Sequence, residues 1–292
     1  MFTLSILMMA ISTLGMGLLP TYAQVGIIAP VALLALRVAQ GAAIGGEVPG
    51  AWVFVAEHVP PNRVGLACGT VTCGLTVGIL LGSLAATGLN TMFTKEVILD
   101  HAWRLPFLLG GVFGFISVYL RRWLAETPVF KAMQERKALT EELPLRVVAR
   151  DHWGGVAISM ALTGLLSSGI IVLILMTPAI LQKSYGIDAA TALSANSLST
   201  VFLSIGCILA GLIVDRIGGA RFFIFFSPLL AISAFILFMT LRVDPSWLFM
   251  LSALVGLSVG TIGAVPYAMV HAFPAAVRFS GLSASYNLRS EE

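Results

Sequence analysis

The chain has 292 residues, of which 58% are hydrophobic and only 11% charged, with a mean hydropathy of +0.96. Soluble domains carry roughly a quarter charged residues, so a water-soluble globular fold is excluded and an integral membrane protein is expected. The net charge of +3 is dispersed, and without a basic run or an aromatic-interleaved patch it offers no nucleic-acid surface.

In chain order, long apolar runs predict spanning helices over 2–19, 31–56, 63–90, 103–121, 154–182, 189–214, 221–241 and 246–272, and a ninth run begins near Phe279. Residues 1–36 carry no charge. The first run has neither a basic n-region nor an A-x-A cleavage pattern, so it reads as a span and not as a secretory signal. Residues 1–121 form one predicted group of four helices. Residues 122–152, with ETPVFKAMQERKALTEELPLRVVARD, form a charged and partly helical linker, and 153–292 form a second group of four helices plus a fragment. Assigned to alternate sides, the Lys and Arg residues of the connections divide eleven to four, and the richer side, with Arg63, Arg216, Arg221 and Arg278, is predicted to be cytoplasmic. A multi-pass membrane protein follows, with the lipid bilayer as its surroundings.

The second span contains RVAQGAAIGGEVPG, residues 37–50, in which an arginine, a glutamine and a glutamate interrupt an apolar run. At about 100° per residue, Arg37, Gln40 and Glu47 fall within about 80° of one another, bordered by Gly41, Ile44 and Val48. An ionised group inside a membrane is borne only where it faces the bundle interior or a water-filled cavity. The stripe is therefore expected to line a hollow. Arg37 and Glu47 stand about 15 Å apart along the axis, too far for an ion pair, so each needs another partner. Arg37 stays charged and suits a carboxylate, whereas burial of Glu47 favours its protonated form and makes proton coupling conceivable. A packing ion pair with another helix is the alternative.

Gly41, Gly45 and Gly50, with Gly74, Gly78 and Gly82 on the third span, are expected to let helices approach closely. Pro49 and Pro266 are expected to bend their helices. Cys68, Cys73 and Cys207 lack metal-ligand spacing and read as small apolar packing groups. His58, His101, His152 and His271 are scattered over turns, without an H-E-x-x-H or G-x-S-x-G framework. No metal, cofactor or intramembrane enzyme is expected. At GLIVDRIGGAR, residues 211–221, Asp215 ends a helix whose dipole disfavours an anion, so it must answer Arg216, Arg221 or the amino end of a neighbouring helix. Contacts of this kind can hold one state of a rocking bundle closed.

The sequence also echoes itself. Gly41-x-x-x-Gly45 followed by Pro60, Arg63 and Gly65 matches Gly256-x-x-x-Gly260 followed by Pro274, Arg278 and Gly281, six spans later. Repeats of this kind are common in transporters, and a six-span repeat requires twelve helices. Eight helices and a fragment then imply two helices missing before the first span and others after the last; a complete eight-helix protein with a polar tail is the alternative.

These residues carry a resemblance. GLIVDRIGGAR resembles the G-x-x-x-D-R-x-G loop signature of the major facilitator superfamily in its second-half form. RVAQGAAIGGE, EHVPPNRVG, WRLPFLLGG, ETPVF and VRFSGLSASYN resemble the metabolite:proton symporter branch, whose members carry proline and betaine, citrate, 2-oxoglutarate or shikimate. The resemblance implies an all-α polytopic bundle, a partial major facilitator fold matching the third to tenth helices and the start of the eleventh. It implies secondary active, proton-coupled symport of a small organic acid or zwitterion by alternating access. Arg37, Gln40 and Glu47 would line the substrate and proton path, and Asp215, Arg216, Arg221 and Arg278 the cytoplasmic gate. A truncated, non-transporting remnant is the competing function. Asn196, Tyr286 and Asn287 are further polar candidates for the far wall.

Overall fold

A backbone in hydrocarbon must satisfy its own N–H and C=O groups, and a continuous apolar run does so as a helix. The computed structural model describes residues 2–121 and 144–287, so the expected linker segment 122–143 lies outside the described residues. Every regular element among the described residues is helical. The α-helices of seven residues or more among them are, in order, α1 (Phe2–Leu18), α2 (Ile28–His58), α3 (Val64–Met92), α4 (Arg104–Arg121), α5 (Pro144–Asp151), α6 (Trp153–Ile170), α7 (Thr177–Tyr185), α8 (Ala189–Ile217), α9 (Gly219–Thr240), α10 (Leu248–Val259), α11 (Val265–His271) and α12 (Arg278–Asn287). Among the described residues seven segments are long and apolar enough to cross a membrane, and α1 is a shorter apolar helix.

Two spans are broken where prolines stand. A π-helical turn, Ile171–Leu175, joins α6 to α7, and Pro178 sits in the first turn of α7, where a missing N–H costs little. The Thr177 hydroxyl donates to the Val172 and Leu173 carbonyls that the break releases. A 3₁₀ segment, Gly260–Ala264, joins α10 to α11, and Pro266 lies in the first turn of α11. Pro49, by contrast, lies inside the continuous α2.

The chain forms two compact units, Met1–Gly50 with Gly82–Glu126, and Ala51–Leu81 with Thr127–Glu292. In the first, α1 lies along α4. A Cβ at Gly111 or Gly114 would come within 2.8 Å of Leu14 or 2.6 Å of Ala10, so glycine sets that spacing. Arg104 donates to the Leu19 carbonyl (3.0 Å), just beyond the end of α1, and to the Asp100 carbonyl (2.9 Å) in the turn before its own helix.

In the second unit α8 is the hub. On one side, ideal Cβ atoms at Gly256, Gly260 and Gly263 would strike the backbones of Ser199, Gly206 and Cys207. On the other, Gly65 and Gly69 of α3 press on Gly211 and Cys207. Between lipid-exposed helices such backbone approach supplies the packing that a hydrophobic driving force cannot. Thr76 and Ser204 hydrogen-bond across α3 and α8 at 2.8 Å. The Val148 side chain of α5 joins Val156, Phe273 and Val277 in an apolar cluster.

One expectation fails here. A Cβ at Gly41, Gly74, Gly78 or Gly82 would meet no atom within 4 Å among the described residues. Spacing of small residues marks a face able to accept a neighbour; on α3 it is Gly65 and Gly69 that stand level with another backbone.

Candidate functional site

The polar stripe of α2 lies in the first unit. Arg37 Nη1 donates to Gln40 Oε1 at 3.1 Å, a pairing that the i, i+3 spacing allows. Gln40 Nε2 in turn reaches Thr13 Oγ1 of α1 at 3.4 Å, a long bond. Arg37 is exposed, and Glu47 is half-buried. The arginine has five N–H donors, and Gln40 takes one.

Asp215 stands at the end of α8 in the second unit. Its carboxylate accepts from the backbone N–H groups of Gly65 (2.6 Å) and Leu66 (2.8 Å), at the beginning of α3. Those N–H groups have no intrahelical acceptor, and the start of a helix carries partial positive charge. The anion disfavoured by its own helix is thus answered by another. Gly65 is obligatory for this approach: a Cβ there would lie 2.7 Å from Asp215 Oδ1 and 2.6 Å from the Gly211 carbonyl. Gly218, at φ +81°, then turns the chain in a conformation that side chains resist. Arg216 and Arg221 are exposed, and among the described residues neither pairs with Asp215.

Arg278 opens α12 and meets a residue that the sequence reasoning missed. Its Nη1 lies 3.1 Å from Glu57 Oε1, with the two side chains 21% and 7% exposed. Its Nε also donates to the Val270 carbonyl at 3.1 Å. Glu57 occupies the last turn of α2, so the dipole argument that singles out Asp215 applies to it unchanged.

The echo in the sequence has a counterpart in geometry. His58 Nδ1 lies 2.7 Å from the Phe54 carbonyl, and His271 Nδ1 lies 2.8 Å from the Tyr267 carbonyl. A carbonyl only accepts, so both histidines carry a proton on Nδ1. The ring pairs are 4.1 Å and 4.3 Å apart, tilted by 34° and 40°. Each pair ends a helix that precedes a proline, an arginine and a glycine.

Comparison with known proteins decides the family. The Major Facilitator Superfamily model matches residues 1–289. The chain belongs to the major facilitator superfamily. It is 31% identical over 304 residues to a proline/betaine transporter of Salmonella typhimurium, a match covering 98% of this chain and 59% of that protein. It is also 31% identical to the ectoine/proline transporter ProP of Corynebacterium glutamicum, covering 96% of this chain and 59% of the relative. The solved structure of the proton:xylose symporter XylE is similar with a TM-score of 0.79 at 16% identity, covering 98% of this chain and 68% of that one. This shows the fold. Major facilitator proteins are multi-pass membrane transporters and not enzymes, and the chain spans 59% of the length of these curated relatives.

Proposed function

We propose that this chain serves secondary active transport, moving a small organic acid or zwitterion together with protons across a bacterial cytoplasmic membrane by alternating access. The observation that carries the reading is the seat of Asp215 on the first turn of α3, reinforced by Glu57–Arg278. Together the contacts tie the start of α3 and the end of α2 to the helices of residues 153–292 at the arginine-rich end, which the charge count assigns to the cytoplasm. Two bundles, 1–121 and 153–292, joined by the linker 122–152, would have to break these contacts, which lie within the compact unit of Ala51–Leu81 with Thr127–Glu292, to open that end. Arg37 engages the solute carboxylate, Gln40 orients it, and Glu47 handles the proton. Arg216 and Arg221 flank the gate. Relatives named for proline, betaine and ectoine weight the solute toward a zwitterion.

Vesicles containing the chain, with and without two leading helices supplied by a relative, test this by uptake of radiolabelled proline and glycine betaine. Uptake that rises with an inward proton gradient, falls in Arg37→Ala and loses its pH dependence in Glu47→Gln is expected. Unchanged uptake in Arg37→Ala disposes of the carboxylate role, and retained pH dependence in Glu47→Gln disposes of the proton role. A non-transporting chain is the competing reading; absence of uptake by the chain alone, with uptake by the extended one, would establish it.

A further inference from the structure

Among the described residues three buried polar atoms have no hydrogen-bond partner: Trp52 Nε1, Ser159 Oγ and Ser283 Oγ. Trp52 and Ser283 lie on α2 and α12, the two helices that Glu57–Arg278 joins. Trp52 stands five residues before Glu57 and is 1% exposed. Its indole meets the Tyr286 ring edge to face, with centroids 5.6 Å apart and planes at 82°. Ser283 precedes Tyr286 by three residues, so the two share a face of α12.

An indole N–H can only donate, and a hydroxyl can do both. Sealing such groups away from water without an acceptor is costly, and folded proteins rarely do it. Here Trp52 and Ser283 each stand five residues from a member of the buried Glu57–Arg278 pair, on the two helices that it joins, and Trp52 packs on Tyr286.

We propose that Trp52, Ser283 and Tyr286 form a solute subsite one layer inside the Glu57–Arg278 pair, taking a small zwitterion that combines an alkylated ammonium with a carboxylate. The Trp52 N–H and the Ser283 hydroxyl are two donors for the carboxylate. The Trp52 and Tyr286 rings, which now occupy each other, turn to the cation, the chemistry by which aromatic side chains recognise quaternary ammonium groups. Closed, the layer leaves its donors unused. Parting α2 from α12 uncovers donors and rings together. The subsite rests on the transport reading above and narrows its solute.

Calorimetric titration of the full chain in detergent with glycine betaine, and with choline, which keeps the trimethylammonium but lacks the carboxylate, tests this. Trp52→Phe retains a ring and loses the N–H. It is expected to weaken glycine betaine about tenfold, as the loss of one hydrogen bond to a charged group would, and to leave choline within about twofold. Tyr286→Leu is expected to weaken both. In the unaltered chain the ¹⁵N-indole resonance of Trp52 moves when glycine betaine is added, a readout that stands even if Trp52→Phe fails to fold. Undiminished glycine betaine affinity in a folded Trp52→Phe, or an unmoved Trp52 resonance at saturation, overturns the subsite and leaves the transport reading intact. Binding of neither proline nor glycine betaine by the full chain overturns the zwitterion reading and the subsite with it.

Discussion

Asp215 accepts two backbone N–H groups through a charged carboxylate, and bonds of that kind are each worth about 1.5–3 kcal/mol. Asp215→Asn keeps the shape but turns one acceptor oxygen into a donor facing an N–H. A loss of about 2–3 kcal/mol is expected, read as a lower melting temperature in detergent. Glu57 and Arg278 are mostly buried, so removing either leaves an uncompensated charge, at a cost of about 3–5 kcal/mol. Glu57→Gln combined with Arg278→Met is therefore expected to cost less than the sum of the single changes, and additive losses in a thermal double-mutant cycle would show that the pair is not coupled. Asp215 was legible because its own helix dipole required an answer, although three answers were open and only the fold selects the start of α3. Glu57 carried the same signal two residues before a proline-rich turn. Arg37, too far along the helix from Glu47 for an ion pair, donates to Gln40 three residues on.

At the scale of elements, glycine spacing misled where no backbone stood opposite. Gly260 packs on Gly206, and a Cβ there would lie 2.4 Å from backbone atoms that cannot give way. Gly78 faces open space. Gly260→Val is expected to abolish folding or cost well over about 3 kcal/mol, whereas Gly78→Val stays within about 1 kcal/mol, compared by melting temperature. Equal losses would mean that Gly78 is covered too. The start of α8 offers a pH test. Asp188 accepts from the Thr191 side chain and from the Thr191 N–H at 2.8 Å, and these bonds hold its carboxyl below the usual carboxylate range. A depressed native value stabilises the fold fully above the unfolded-state pKa, and that contribution is lost as pH falls through the native one. Asp188→Ala is thus expected to melt earlier than the unaltered chain at neutral pH and to match it in strong acid. A gap that persists unchanged into acid would assign the effect to something other than the charge.

At the scale of the molecule, composition alone made the membrane legible, and span ends were placed within a few residues because lipid dictates helix length. Less legible was which stretch packs with which. Helix α2 has 31 residues, about 46 Å, longer than the roughly 30 Å of hydrocarbon it must cross. Hydropathy marks where a helix meets water and is blind to where its neighbours change. Those changes fall at Gly50 and Leu81, inside α2 and α3, beside Pro49 and Gly82. The chain thus passes from one set of residues to the other inside two continuous helices. A rod transmits rotation. One residue inserted after Leu81 would swing everything beyond it in α3 through about 100°, whereas one inserted after the exposed Val243 can be swallowed by its turn. The first insertion should ruin the melting transition and the second spare it; the opposite result would make these two crossings as slack as any tether.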